Sequence, residues 1–319
     1  MVVGRMSYKV ISSAEDSKEL LDSFDTFLFD CDGVLWEGDD PIPGSIEAVN
    51  FLLANQKQVL YVTNNSSKSR RQYSEKFKKL GFTPVDPKNI VSSGSSAAFY
   101  AYKVMQQRAD PNKDTIFYIG LPALGEELAK MGLKSIAAAE LDLPKTIPEW
   151  QYFKKEPRVG CVIVGADWEF NYGKATAAAS YLVHDDVTFI GTNSDSRLPT
   201  PNPEIINCGT GSIIKMIAVG SGREPIYAGK PEPYMWEHVQ YEFKDTNIDL
   251  SRTLMVGDSL NTDIIFANSA EPNPISSLLV QTGNHKLHHV EAMVDKKETQ
   301  SIPTYVSKSL KDAILGGCN

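Results

Sequence analysis

Four short stretches carry residue types that could do chemistry together. The first is "DCDG", where Asp30 and Asp32 stand two residues apart and Gly33 follows. Residues two apart on an extended segment face the same side, so the two carboxylates can share one site. Gly33 permits a tight turn and close backbone approach to a ligand. The second is "TNNS" at 63–66, which offers a hydroxyl, amides and backbone N–H groups at an expected helix start, a natural anion site. The third is "AGKPEP", with Lys230 fixed by a following proline, and the fourth is "VGDSLNTD", with Asp258 and Asp263. One such loop alone reads as a solvated turn or a helix cap. The set reads differently, because it combines carboxylates, phosphate-sized donors and one lysine. Carboxylates with few other ligand types suit a hard cation such as Mg2+. A divalent cation and a phosphate would offset the repulsion between Asp30 and Asp32.

The elements around these stretches explain how they could meet. "TFLF" precedes the two aspartates, and strand-like runs recur at 58–63, 115–120, 159–165, 187–191, 225–229, 252–258 and 275–283. Amphipathic helix patterns alternate with them, including "SIEAVNFLLANQ" with a serine cap at Ser45 and "SKSRRQYSEKFKKLGF" stopped by Gly81. This alternation predicts an α/β fold of doubly wound parallel sheets with helices on both faces. Ligands of such sheets sit outside the carboxyl ends of the strands, where all four stretches fall. "RADPNKD" and "GSGREP" read as loops that bracket an inserted unit over 112–225, leaving 1–111 and 226–319 as the two parts of a core domain.

Bulk properties narrow the partners. The chain has 319 residues, enough for two domains, with the 42% apolar and 23% charged composition of a globular protein. A formal charge of −8 argues against nucleic acid and anionic membrane surfaces. No apolar stretch is long enough to span a bilayer, and the first residues lack an apolar core of signal-peptide length. Cys31, Cys161, Cys208 and Cys318 are widely spaced, as expected of reduced thiols in the cytoplasm.

In this order, "DCDGVLW", "TNNS", "AGKPEP" and "GDSLNTD" resemble the four motifs of the haloacid dehalogenase superfamily of phosphatases. The likeness is closer to its phosphoglycolate phosphatase and 4-nitrophenylphosphatase branch, whose cap domain is inserted between the second and third motifs. "TNSDSRLPT", "GTGS" and "GKPEPYMWE" also read like that branch, and the resemblance runs from about Leu21 onward. It implies a Rossmann-like core with an inserted α/β cap, and Mg2+-dependent hydrolysis of small phosphate monoesters such as 2-phosphoglycolate, with 4-nitrophenyl phosphate as an artificial substrate.

Carried over by position, the resemblance makes Asp30 the nucleophile, which takes the phosphoryl group as an aspartyl phosphate and splits a hard hydrolysis into two steps. Asp32 becomes the acid for the leaving oxygen and then the base for water, a role suited by a neighbouring charge that raises its proton affinity. Mg2+ would be held by the Asp30 side chain, the Asp32 backbone carbonyl and Asp258, with Asp263 in support. Gly33, Thr63, Asn64 and Asn65 fall at substrate-binding positions. Lys230 would neutralise phosphate charge and pair with the nucleophile. The resemblance further implies a homodimer through the cap.

The chain departs from the branch at Ser259, where a basic residue is frequent, and at "FANSAEPNPISS", where a glycine-rich turn usually follows. Ser67 stands where pyridoxal phosphate hydrolases tend to carry a basic residue, which favours small acid phosphates. His285, His288 and His289 lack a neighbouring cysteine or carboxylate set and read as a solvated face. Cys31, between two acids, is expected to be an unreactive packed thiol, and Trp36 a core or lid contact. Two other readings of the scaffold are a phosphomutase, which needs a cap admitting a second phosphosugar, and a catalytically idle binding protein, which would have lost a carboxylate.

The loop 192–212 is expected to set specificity, with Arg197 as the cation suited to gripping a substrate carboxylate bidentately. Arg197→Ala is expected to weaken binding of 2-phosphoglycolate by about 1–3 kcal/mol while leaving 4-nitrophenyl phosphate turnover little changed. Steady-state kinetics on both substrates checks this. An equal fall in kcat/KM for the two would instead make Arg197 a structural tether.

Overall fold

Apolar runs of β-branched and aromatic residues form strands here because both faces of each sheet are covered. In a computed structural model, the structure describes residues 7–316 apart from Pro199, Pro201, Pro203 and Asn247; Cys318 lies outside the described residues. The chain divides into two compact units, one of 1–63, 71–91 and 230–319, the other of 64–70 and 92–229.

The first unit holds a seven-stranded sheet in the order Lys9–Val10, Tyr305–Ser307, Ser276–Val280, Thr253–Gly257, Thr26–Phe29, Gln58–Thr63 and Ile90–Ser92. Its central strands pair in parallel, with Leu28 opposite both Met255 and Leu60. Alternate residues feed two cores. Phe27, Phe29, Val59, Tyr61 and Val256 join helix residues Leu52, Tyr73, Phe77 and Ala313 on one face. Leu28, Leu60, Val62 and Met255 join Met235, Trp236, Val239 and Phe266 on the other. This is the doubly wound α/β arrangement read from the alternation.

The second unit has a five-stranded sheet in the order Ile226–Tyr227, Thr188–Gly191, Val159–Val164, Thr115–Ile119 and Lys134–Ala137, with parallel pairing throughout. Phe117, Val162, Val164 and Phe189 face Ala178, Tyr181 and Ile214. Ile116, Cys161, Ile163 and Ile190 face Ala97, Ala101, Leu124 and Leu128. The unit is therefore wider than the expected 112–225. The alanine-rich face of helix Ser93–Gln106 covers one side of this sheet and belongs with it.

Two local readings are corrected. Ser45 does not cap its helix: Gly44 is the N-cap in a left-handed conformation (φ 82°), and the Ser45 hydroxyl donates to the Leu35 carbonyl at 2.8 Å. The 63–66 stretch does not open a helix either, since the following helix starts at Arg70. Its end matches expectation, with Gly81 at φ 92°.

Among the described residues, no helix is long and apolar enough to cross a membrane.

Phe77 is fully buried, with ring centroids 4.3 Å from Tyr61, 4.9 Å from Trp36 and 5.3 Å from Phe82. Phe77→Ala is expected to destabilise the first unit by about 3–5 kcal/mol. Urea denaturation measures it, and a loss below about 1 kcal/mol would contradict this packing.

Candidate active site

The parallel strands of the first unit end at one edge of the sheet, and their next residues are polar. Asp30 directly follows Thr26–Phe29, its N–H donating to the Val256 carbonyl at 2.9 Å. Asp258 follows Thr253–Gly257. Oxygen atoms of Asp30, Asp258 and Asp263 all lie within 4.8 Å of one another. At that separation two like charges repel by on the order of 3 kcal/mol at an effective dielectric near 20.

Lys230 answers this charge. It is 2% exposed, and its ammonium donates to Asp30 Oδ1 at 2.9 Å and to the Val62 carbonyl at 2.6 Å. It also forms an ion pair with Asp263 Oδ1 at 2.7 Å. Burial alone would push this amine down, but Asp263 and Asp30 reverse the effect and hold its pKa above the ordinary value.

Asp263 is placed by a π-helical turn over Leu260–Ile264. Its Oδ2 accepts the N–H groups of Asp258 and Ser259, each at 3.1 Å. Ser259, the departure from the branch pattern, thus contributes through its backbone. Gly257 leaves the room: a Cβ there would run into the Asp263 carboxylate.

Asp258 Oδ2 accepts two hydrogen bonds from Asn284, from its N–H at 2.7 Å and its Nδ2 at 2.8 Å. The reading of the sequence missed Asn284, although "QTGN" leaves the adjacent strand Ser276–Val280 and obeys the same strand-end rule. Gly33 adopts φ 85°, and a Cβ at Gly33 or Gly283 would meet Asp258 Oδ2. The close approach that Gly33 permits is therefore to this carboxylate.

Burial pushes the Asp258 carboxyl up, the Asp263 charge adds to it, and Asn284 and Lys230 oppose; it stands at about 7. Burial likewise pushes Asp30 well above the usual carboxylate range against the pull of Lys230, with Asp263 and Asp258 reinforcing the rise. Fully ionised, three carboxylates against one ammonium leave two net negative charges. An all-oxygen donor set with that charge fits a hard divalent cation.

Asp32 lies outside the three-carboxylate group. Its Oδ1 accepts from the Trp36 indole Nε1 at 2.9 Å. Thr63 ends its strand, is buried, and shares a hydrogen bond with the Tyr73 hydroxyl. Cys31 is fully buried, and burial followed by the charges of Asp30 and Asp32 raises its thiol well above normal, which makes it inert. His285 precedes the helix Leu287–Lys296, and its Nδ1 accepts the Leu260 N–H at 3.3 Å. Among the described residues, no histidine joins a metal-type group.

Asn64, Asn65 and Arg197 belong to the second unit. Asn64 Nδ2 and Asn193 Nδ2 both donate to Asp195 Oδ2, at 3.3 and 2.8 Å. Asn65 Oδ1 accepts the Ser67 N–H at 3.0 Å. Arg70 anchors the segment, its N–H and Nε donating to the buried Glu127 at 2.8 and 3.0 Å. Arg197 is exposed on a strand Arg197–Leu198 that pairs antiparallel with Asn207–Cys208. Among the described residues it makes no ion pair of the tether kind.

Gly283→Ala is expected to displace Asp258 and weaken Mg2+ binding by at least tenfold. Titration calorimetry on the folded variant measures this. Unchanged affinity would remove Asp258 from the cation site.

Comparison with known proteins follows the same lines. The family described as haloacid dehalogenase-like hydrolase matches residues 27–134, and a second of the same hydrolase type matches 227–313. Glycerol-3-phosphate phosphatase of Gallus gallus is 36% identical over 305 residues, covering 94% of each chain. The 4-nitrophenylphosphatase of Schizosaccharomyces pombe is 36% identical over 304 residues, 95% of this chain and 97% of its own. Phosphoglycolate phosphatase 2 of Arabidopsis thaliana is 34% identical, covering 95% and 96%. Among solved structures, a hypothetical protein of Pyrococcus horikoshii superposes with a TM-score of 0.72 at 32% identity, covering 91% of this chain and 98% of that one. Glycerol phosphate phosphatase of Mycobacterium tuberculosis, in complex with magnesium, gives 0.72 at 26% identity, covering 92% and 77%. The chain belongs to the haloacid dehalogenase-like hydrolases, as an α/β phosphoric monoester hydrolase of the branch that carries an inserted cap.

Proposed function

We propose that this protein hydrolyses small phosphate monoesters with Mg2+ through an aspartyl phosphate on Asp30. The observation that carries the reading is the buried group of Asp30, Asp258 and Asp263 around a single lysine. In the first step an Asp30 carboxylate oxygen bonds to phosphorus, the phosphorus–ester oxygen bond breaks, and the leaving oxygen takes a proton from Asp32. In the second, water attacks phosphorus, Asp32 takes its proton, and phosphate leaves Asp30. Lys230 holds Asp30 Oδ1 and places positive charge beside the nucleophile. Asp30 and Asp258 would hold the cation with the Asp32 carbonyl, and Asp263 would fix both Asp258 and Lys230. Bound Mg2+ would supply positive charge that keeps these carboxylates ionised and offsets charge on the phosphoryl oxygens.

The substrate class follows from the relatives, whose names are glycerol-3-phosphate phosphatase, phosphoglycolate phosphatase and 4-nitrophenylphosphatase. We infer small two- and three-carbon phosphates, with recognition assigned to the loop 192–212 and Arg197. The same reading holds the protein to be a cytoplasmic homodimer acting on a phosphorylated metabolite.

EDTA is expected to abolish turnover of 4-nitrophenyl phosphate, glycerol 3-phosphate and 2-phosphoglycolate, and added Mg2+ to restore it. Asp30→Asn should lose nearly all turnover while keeping its fold. Full activity in EDTA, or an active Asp30→Asn variant, would reject the mechanism.

A further inference from the structure

The sequence reads Trp36 as a core or lid contact, and its full burial fits the core. Its polar tip does not. The side chain is fully buried, and its indole Nε1 donates to Asp32 Oδ1 at 2.9 Å. A buried indole N–H needs a partner, and here the partner is a half-buried carboxylate one turn back in the chain.

The ring cannot rotate away from that partner. Tyr73 stacks on it at 6.5 Å, while Phe77 and Phe82 approach edge-on at 4.9 and 6.1 Å. The Lys76 ammonium lies 4.3 Å from the ring centroid and also donates to the Gly38 carbonyl at 2.6 Å. The backbone closes the same loop: the Gly33 N–H donates to the Trp36 carbonyl at 2.8 Å, and the Leu35 N–H to the Cys31 carbonyl at 2.8 Å. The donor is thus rigid, and it engages one of the two Asp32 oxygens. A carboxyl group pinned at Oδ1 turns Oδ2 in a defined direction.

We propose that Trp36 is a positioning residue that aims the Asp32 carboxyl at the leaving oxygen. This rests on the proposed phosphatase mechanism, and it adds a residue that touches no substrate. Poor leaving groups need the proton more than good ones do. Removing the indole N–H should therefore penalise an alkyl phosphate selectively.

Trp36→Phe keeps an aromatic ring in the cage and removes the donor. Its kcat on glycerol 3-phosphate is expected to fall about tenfold, a fraction of the 10²–10⁴ that acid–base catalysis supplies. Its kcat on 4-nitrophenyl phosphate should fall less than about threefold. Phe82→Leu loosens the same cage but keeps the N–H, so its penalty should be selective in the same sense and smaller than that of Trp36→Phe. In an Asp32→Ala background, Trp36→Phe should add nothing further. A measurement independent of turnover is the Trp36 indole N–H resonance, which should shift when Asp32 becomes Ala. Wild-type hydrolysis of the two esters reports on the phosphatase reading, whereas the ratio of variant rates and the resonance report on Trp36 alone. An equal fall on both substrates in Trp36→Phe, or an indole resonance unmoved by Asp32→Ala, overturns the inference.

Discussion

The ammonium of Lys230, buried among Asp30, Asp263 and the Val62 carbonyl, is the interaction on which this site depends. Moving a lysine and two carboxylates out of water costs several kcal/mol per ion, and removing one partner strands the others. Stability alone does not favour such an arrangement, since a well-packed apolar trio would fold as well. What the arrangement provides is a fixed field. The lysine holds the nucleophile from one side and Asp263 from the other, and Asp263 in turn grips the N–H groups of Asp258 and Ser259. Asp30 and Asp263 are each oriented by the lysine, and Asp258 by Asn284.

This network can exist only where strands end together. The parallel register sets Phe29 opposite both Val256 and Tyr61, so the residues after these strands emerge at one edge. Space is the second requirement. Gly33, Gly257 and Gly283 each leave room that a methyl group would take from Asp258 or Asp263. The glycines are part of the electrostatics, because carboxylates spread farther apart would hold neither the lysine nor a divalent cation.

Much of this was legible in the chain. Strand and helix alternation gave the two parallel sheets, and the strand-end rule located Asp30, Thr63, Lys230 and Asp258 without any contact information. The residues that escaped did so for identifiable reasons. Asn284 has no special type or spacing, and only adjacency of Ser276–Val280 to Thr253–Gly257 brings it to Asp258. Asp263 itself is read from the sequence as support for the cation, but its pairing with Lys230 comes through a π-helical turn that helical periodicity does not encode. Ser45 looked like a cap because serine often is one, yet the preceding glycine made the turn and the hydroxyl found a buried carbonyl. Helix Ser93–Gln106 was read with the first unit because the loop at 108–114 looked like a boundary; its small residues packed against the second sheet decide otherwise.

Asp32 shows how packing and chemistry are joined in one loop. Its carboxylate lies outside the group of Asp30, Asp258 and Asp263. One partner of this carboxylate is a tryptophan whose ring is enclosed by Tyr73, Phe77 and Phe82. Close-packed interiors transmit displacement because they have no free volume to absorb it. A shift in helix Arg70–Leu80, which carries Tyr73 and Phe77, would therefore pass through the indole to the carboxyl. The nucleophile is held by the Lys230 ammonium, and the acid is held in part by an indole set in aromatic packing. The indole thus gives the apolar core behind the sheet a route to Asp32 that does not pass through Lys230.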